Sequence, residues 1–246
     1  MSDDTSADVV VVGGGVAGLS AATFTARHGL RTVVFDAGES ILRRNAHLEN
    51  YPGFPAGVNS RLLLELIRDQ ADRAGSRIET ATVERVERTD GGFRVGTTDG
   101  DAVRSTYVIA ATKNAVDYLE PVPGVGIVDR GKTFVETDDR GRTAVDGLYA
   151  AGRLAGKPHQ AVVAAGHGAE VAVTLLEDDD RGFYHDWVAP DRYFTGRGRE
   201  LPPGCEEIDE AERREREAES RRVVRDYFAE PHPDEPEQHP SVDAED

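Results

Sequence analysis

The 246 residues include one cysteine, one methionine, one tryptophan and three lysines. A single cysteine, Cys205, excludes an internal disulfide and any pair of thiols within the chain. Acidic side chains outnumber basic ones 46 to 29, giving a formal net charge of −17. Nucleic-acid backbones and anionic membranes both need a positive partner surface, so this balance argues against either. No apolar run approaches the ~18 residues of a membrane span. The start, MSDDTSAD, is acidic where a secretory signal is positive. These absences together lead us to expect a soluble, cytoplasmic protein. No cluster of His, Cys, Asp and Glu has ligand spacing, so no metal is expected. No Ser/His/Asp arrangement is readable either.

Charge is unevenly spread. Residues 1–176 carry 23 acidic and 19 basic side chains, whereas residues 177–246 carry 23 and 10. The first part reads as a globular body and the second as an appendage. Residues 177–205 hold aromatics and glycines without a period and read as an ordered arm. Residues 206–229 read as a charged helix with Glu210–Arg214, Glu212–Arg216 and Glu217–Arg221 at i,i+4 spacing. Near its end Val223, Val224, Tyr227 and Phe228 offer apolar groups for docking. Residues 230–246, rich in proline and acid, read as disordered. The arm and tail are compatible with a homodimer or a partner interface. An acid excess with so few lysines suits a halophilic archaeal source; a mesophile with an acidic tail is the alternative.

The body opens on the β-branched run DVVVV, suited to a buried parallel strand. GGGVAG follows at once, then an alanine-rich helix with Gly29 near its C-cap, then the strand LRTVVF ending at Asp36. In Gly13-x-Gly15-x-x-Gly18 the first glycine permits a tight turn, the second a close approach by pyrophosphate, and the third close packing of helix on strand. The N–H groups at the helix start then face the phosphates, and the Asp36 carboxylate can accept hydrogen bonds from a ribose. This unit points to a bound dinucleotide, against a glycine turn without a ligand, and does not by itself separate FAD from NAD. Farther on, Leu62, Leu63, Leu66 and Ile67 share a helical face, with Ser60 and Gly75 as expected caps. Turn signals at Asp90-Gly91-Gly92 and Asp99-Gly100 mark an antiparallel meander returning to a buried strand at 106–111. A hairpin near 133–137, a turn at 139–141, a short strand in VDGLYAAG and a helix at 159–176 complete the body.

GGGVAGLSAA, ENYPGFPAGV, the meander ending VIAAT, GLYAAGR and HQAVVAAGHGAEVA stand in the order and spacing of the thioredoxin-reductase-like FAD/NAD(P)-dependent oxidoreductases, which the chain resembles over residues 8–176. The resemblance implies a single FAD-binding Rossmann-like domain of three layers, with a parallel sheet and a β-meander, followed here by the acidic arm and helix. It implies FAD as cofactor. It carries the cofactor role onto Gly13, Gly15, Gly18, Asp36, Arg44, Asn45, Asn50, Val83, Thr112, Gly152, Gln160 and Ala161. Their motif neighbours Gly14, Val16, Ala17, Ala37, Ala111, Lys113 and Arg153 join them. In that family the ENYPGFP loop lies beside the flavin, and the helix opening at HQA faces the N1–C2=O edge of the ring.

The departures are equally specific. The family's nicotinamide domain and its Cys-x-x-Cys are missing; only residues of about 114–131 fill the place of the insertion. The family's ATG reads ATK at Lys113, and its GD reads GR at Arg153, which removes a carboxylate that holds a ribityl hydroxyl. Arg153 is left to reach the pyrophosphate, and Lys113 to do likewise or to face solvent; a weakened flavin site is the plainer reading. His47, His159 and His167 fall near the flavin region, and His159 is the weak candidate for acid–base catalysis, against a simple hydrogen-bonding role. The expected function is an FAD-dependent oxidoreductase without a dithiol relay or its own nicotinamide domain, exchanging electrons with a small molecule or a protein. The alternatives are a non-catalytic flavin- or nucleotide-binding sensor or assembly protein, and a biosynthetic flavin-fold enzyme of the thiazole-synthase kind, whose second glycine-rich loop is not seen.

Overall fold

Four consecutive valines, Val9–Val12, are all but inaccessible to solvent, as a strand covered on both faces requires. They end β1 (Thr5–Val12), the centre of the sheet in the computed structural model, which describes residues 5–239, 241 and 242. Next come α1 (Val16–Arg27), β2 (Thr32–Phe35), α2 (Ser60–Arg73) and β3 (Arg77–Glu79). The meander is β4 (Val83–Thr89), β5 (Gly92–Thr97) and β6 (Ala102–Ala110). A hairpin of β7 (Ile127–Asp129) and β8 (Thr133–Val135) precedes β9 (Leu148–Ala150) and α3 (Ala161–Asp178). Then follow β10 (Trp187–Pro190), β11 (Cys205–Ile208) and α4 (Glu210–Tyr227).

Strands β3, β2, β1, β6 and β9 lie side by side, all parallel. β6 is long enough for two neighbours on one edge. Its first half pairs antiparallel with β5, while Val108–Ala110 pair with β9. The sheet thus splits, and the meander folds over one face. There Val10, Val12, Val33, Phe35, Val108 and Leu148 share a core with Val86, Phe93 and Val95. The other face carries the helices: a Cβ on Gly18 of α1 would stand 3.1 Å from Val11 Cγ1. α3 crosses α1 at backbone distance, because a Cβ on Gly168 would stand 2.0 Å from the Ala17 carbonyl oxygen.

Local expectations meet several corrections. The N-cap of α2 is Asn59, whose side chain accepts from the N–H groups of Arg61 and Leu62. Ser60 is buried instead, its hydroxyl 2.8 Å from the Leu42 carbonyl. The hairpin strand at 133–135 pairs backwards with β7, and the turn after it closes through an isolated Arg142–Tyr149 bridge. Residues 114–131 are woven into the core rather than spanning a gap: Val116, Tyr118, Leu119 and Val122 are buried in it.

Two units divide the chain, residues 1–175 with 234–246, and residues 176–233. In the second, β10 and β11 pair parallel, and Trp187, Tyr193 and Phe194 meet edge to face. α4 begins four residues later than the expected 206, because Cys205–Ile208 is strand and Asp209 caps the helix. None of its residues is buried, which leaves Val224 and Phe228 exposed. Glu210–Arg214 and Glu212–Arg216 pair as expected, but Glu217 pairs with Arg213. In the tail expected to be disordered, Glu237 donates its N–H to the Arg43 carbonyl at 3.0 Å. The Asp234 carbonyl accepts from Arg61 Nε at 3.0 Å. Residues 240 and 243–246 of that tail lie outside the described residues.

Candidate functional site

The three fingerprint glycines meet three different steric demands. Gly13 has φ +113°, and a Cβ there would stand 2.6 Å from the Ala111 carbonyl oxygen, so the turn needs glycine twice over. A Cβ on Gly18 would stand 2.0 Å from the Gly13 carbonyl oxygen, which sets how closely α1 lies on the turn. Gly15 is the open one, its nearest neighbour the Ser40 hydroxyl at 3.8 Å from a built Cβ. It is also the N-cap of α1, with no side-chain cap and no acid in the first turn. A helix start with bare N–H groups behind an open glycine is a cradle for an anion. The residues present therefore fit a dinucleotide's pyrophosphate, with Val16 and Ala17 opening the helix.

Asp36 follows β2 beside this turn. A Cβ on Gly14 would stand 2.2 Å from Asp36 Cγ, so Gly14 makes room for the carboxylate. One carboxylate oxygen accepts from the Gly38 N–H at 2.9 Å and the other pairs with Arg68 Nη1 at 2.7 Å. Arg68, from α2, went unforeseen. Ala37 is exposed next to it. The Asp36 carbonyl accepts from the Ala81 N–H, which brings the chain leading into Val83 to the same edge.

A contact between residues 110 apart joins the loop at 49–55 to the start of α3: Asn50 Nδ2 donates to Gln160 Oε1 at 2.9 Å. Two motifs far apart in sequence are thereby placed together, with Ala161 opening the helix beside them. Arg44 and Asn45 end a short 3₁₀ turn, where Arg44 is exposed and the Asn45 carbonyl accepts from Arg61 Nη1. His47 pairs with Glu49 at 2.8 Å.

The strand ends β1, β6 and β9 finish level: the Ala111 N–H donates to Val12 O and the Ala151 N–H to Ala110 O, both at 2.8 Å. Beyond them Thr112 donates its hydroxyl proton to the Ala115 carbonyl and accepts from the Tyr118 hydroxyl. Burial pushes the Tyr118 phenol pKa up, which keeps it a donor. Lys113 follows with φ +65°, a left-handed conformation that costs a side-chain-bearing residue about 1–2 kcal/mol. Gly152, at φ +65°, lies against α1, where a Cβ would stand 2.8 Å from Ala17 Cβ. Its N–H donates to Nδ1 of the buried His167 at 2.9 Å, a contact the sequence did not announce.

Arg153 Nε donates to Asn114 Oδ1 at 3.2 Å, and Asn114 Nδ2 donates to the Thr133 carbonyl at 2.8 Å. Lys113, Lys132 and Arg153 therefore stand on three adjoining segments. Partial burial lowers the Lys113 pKa, and the charges of Arg44, Lys132 and Arg153 lower it further. His159, exposed at the same place, is held below its usual pKa by partial burial and then by Arg153, Lys113 and Lys132. Cys205 lies in the other unit; burial, then Asp186, raises its thiol pKa, so it is not an activated thiolate.

The glycine cradle, the Asp36 carboxylate and the split parallel sheet define a dinucleotide-binding flavoprotein domain. The FAD binding domain family matches residues 8–47. A bifunctional thioredoxin reductase/thioredoxin of Mycobacterium leprae is 35% identical over 139 residues, 55% of this chain and 30% of that protein. A thioredoxin reductase of Treponema pallidum is 33% identical over 141 residues, 55% of this chain and 45% of that protein. The chain thus spans less than half the length of either relative. Among solved structures, a thioredoxin reductase from Gloeobacter violaceus superposes with a TM-score of 0.67 at 20% identity, covering 75% of this chain and all of that one. A ferredoxin-flavin thioredoxin reductase from Clostridium acetobutylicum gives 0.61 at 17%, covering 71% and 98%. These two likenesses show the fold. The sequence matches make the chain similar to the thioredoxin-reductase-like FAD oxidoreductases, and the FAD binding domain match gives FAD as its cofactor.

Proposed function

We propose that this chain is an FAD-dependent oxidoreductase that exchanges electrons with a small molecule or a redox protein, without a dithiol relay or a nicotinamide domain of its own. The observation that carries the reading is the cradle at Gly13–Gly18. Its helix start is bare, its central glycine is open, and its other two glycines are enforced by contact with backbone oxygens. In this reading the N–H groups of Gly15, Val16 and Ala17 hold the pyrophosphate, and Asp36, steadied by Arg68, accepts from the adenosine ribose. The Asn50–Gln160 bond keeps the loop at 49–55 against the start of α3, so that the flavin half is gripped between them. The bound flavin supplies two-electron chemistry, and the protein supplies orientation and electrostatics. Gln160 and Ala161, at the helix N-terminus, favour negative charge at the edge of the ring.

Exposed His159, its pKa lowered by partial burial and then by Arg153, Lys113 and Lys132, is the candidate histidine for proton movement. The lone Cys205 supports the absence of a dithiol relay. Acidic composition supports a cytoplasmic, high-salt setting, and the exposed arm supports a homodimer as a further reading. No helix among the described residues is long and apolar enough to cross a membrane.

The test is FAD titration of the purified chain, followed by anaerobic reduction with NADPH, NADH and reduced ferredoxin. Binding with flavin bleaching by one donor supports the proposal. Binding with no reduction by any of them points to the non-catalytic alternative. Failure to bind FAD rejects both.

A further inference from the structure

Many cations of this acidic chain have acidic partners close by. Arg31 pairs with Asp8, Arg68 with Asp36, Arg73 with Asp69 and Arg213 with Glu217. One group of neighbouring cations has none. Among the described residues Arg44, Lys113, Lys132 and Arg153 form no ion pair, and the charges acting on Lys113 come from the other three. Two of the three lysines in the chain are spent here, in a protein with 46 carboxylates to choose from.

The clustering is built by the fold. Asn114 uses both ends of its amide, donating to the Thr133 carbonyl and accepting from Arg153 Nε, which binds the turn after β6, the strand β8 and the turn after β9 together. Arg153 also lies over the Phe134 ring, 6.0 Å from its centroid, which limits where its guanidinium can point. Lys113 is held in a left-handed conformation that a glycine would adopt freely. Like charges held this close repel one another, and a bound counter-charge removes the repulsion. The cluster follows β6 and β9, whereas the glycine cradle follows β1. It is therefore a second positive centre along the same row of strand ends.

We propose that Lys113, Lys132 and Arg153, flanked by Arg44 and His159, form a binding site for a small, multiply charged oxyanion, a phosphate or polycarboxylate, distinct from the glycine cradle. The site stands on the cation cluster and needs no bound flavin. That its anion is the handle of a redox substrate or donor rests on the function proposed above.

The test is calorimetric titration of the full chain with inorganic phosphate and with citrate, at constant ionic strength, with and without FAD. Binding of either probe to both forms is expected, weakened about tenfold by Lys132→Gln and by Lys113→Gly. Both variants lie at the surface, and an unchanged or raised melting temperature shows that they fold. If the probes bind only the FAD-free chain and FAD displaces them, the cluster serves the cofactor's own phosphates and the distinct site is refuted. Absence of binding, or binding that neither variant alters, also refutes it. Should FAD itself fail to bind, the function proposed above falls, while titration of the FAD-free chain still decides the anion site.

Discussion

The two ends of the row of strand ends are made of different materials. At the β1 end the shape is set by backbone: three glycines, two carbonyl oxygens and the bare start of α1. At the β6–β9 end it is set by side chains, Arg44, Lys113, Lys132, Arg153 and His159, brought in on separate segments. The first end keeps to the pattern of the family, and the second departs from it at Lys113 and Arg153. Backbone sites tolerate almost no substitution. Side-chain sites can change partner and charge while the scaffold stands.

The sharpest way to break this contrast is at Gly18. Gly18→Val places its Cβ 2.0 Å from a backbone oxygen that cannot rotate away. Overpacking of this kind should cost about 3 kcal/mol, read by chemical denaturation, and FAD binding should go with it. If the variant keeps wild-type stability, the cradle is not built by sterics.

A smaller effect is expected at His167, which fastens Gly152 and so links the two ends. Replacing it by leucine leaves the Gly152 N–H buried without an acceptor and should cost about 2 kcal/mol. Burial foremost, then Lys157, lowers the His167 pKa, with Glu170 and Asp138 opposing. In the unfolded chain the ring titrates near 6.5, the ordinary value. Below that pH the unfolded state takes up a proton that the folded state refuses, so stability is full above 6.5 and falls as pH drops toward the folded pKa. His167→Asn keeps an acceptor near the Nδ1 position without the titration. Melting temperature against pH should therefore flatten in this variant below about 6.5; a slope unchanged from wild type would count against the buried neutral ring.

The smallest change is expected at Lys113, and in the opposite direction. Lys113→Gly relieves the left-handed strain and should raise stability by about 1 kcal/mol, measured by denaturation. A loss of stability would mean that the lysine makes a contact worth more than its strain.

Much of the β1 end was legible beforehand because its determinants are local. DVVVV, the glycine spacing and Asp36 lie within a few dozen residues, and their periods and turns encode contacts along the chain itself. Asn59 took the cap expected of Ser60 because the Ser60 hydroxyl turns to the Leu42 carbonyl, a partner outside the helix. The hairpin was misplaced because β8 pairs with a three-residue strand too short to show alternation. Arg68 and Lys132 were missed, and His167 was placed near the flavin region without its bond to Gly152, since each meets its neighbours across distant segments.

By itself, the sequence determined that a dinucleotide cradle sits between a buried strand and a helix, that no second cysteine is at hand within the chain, and that charge gathers at its far end. Those are properties of adjacency, composition and count. Only the tertiary structure decided that residues 114–131 close into the core, that Asn50 meets Gln160, and that two of three lysines converge with Arg44 and Arg153 beside β6 and β9. The physical reason is that parallel strands place their carboxyl ends together whatever their distance in the chain. Side chains following those ends become neighbours through sheet order, which local sequence does not encode.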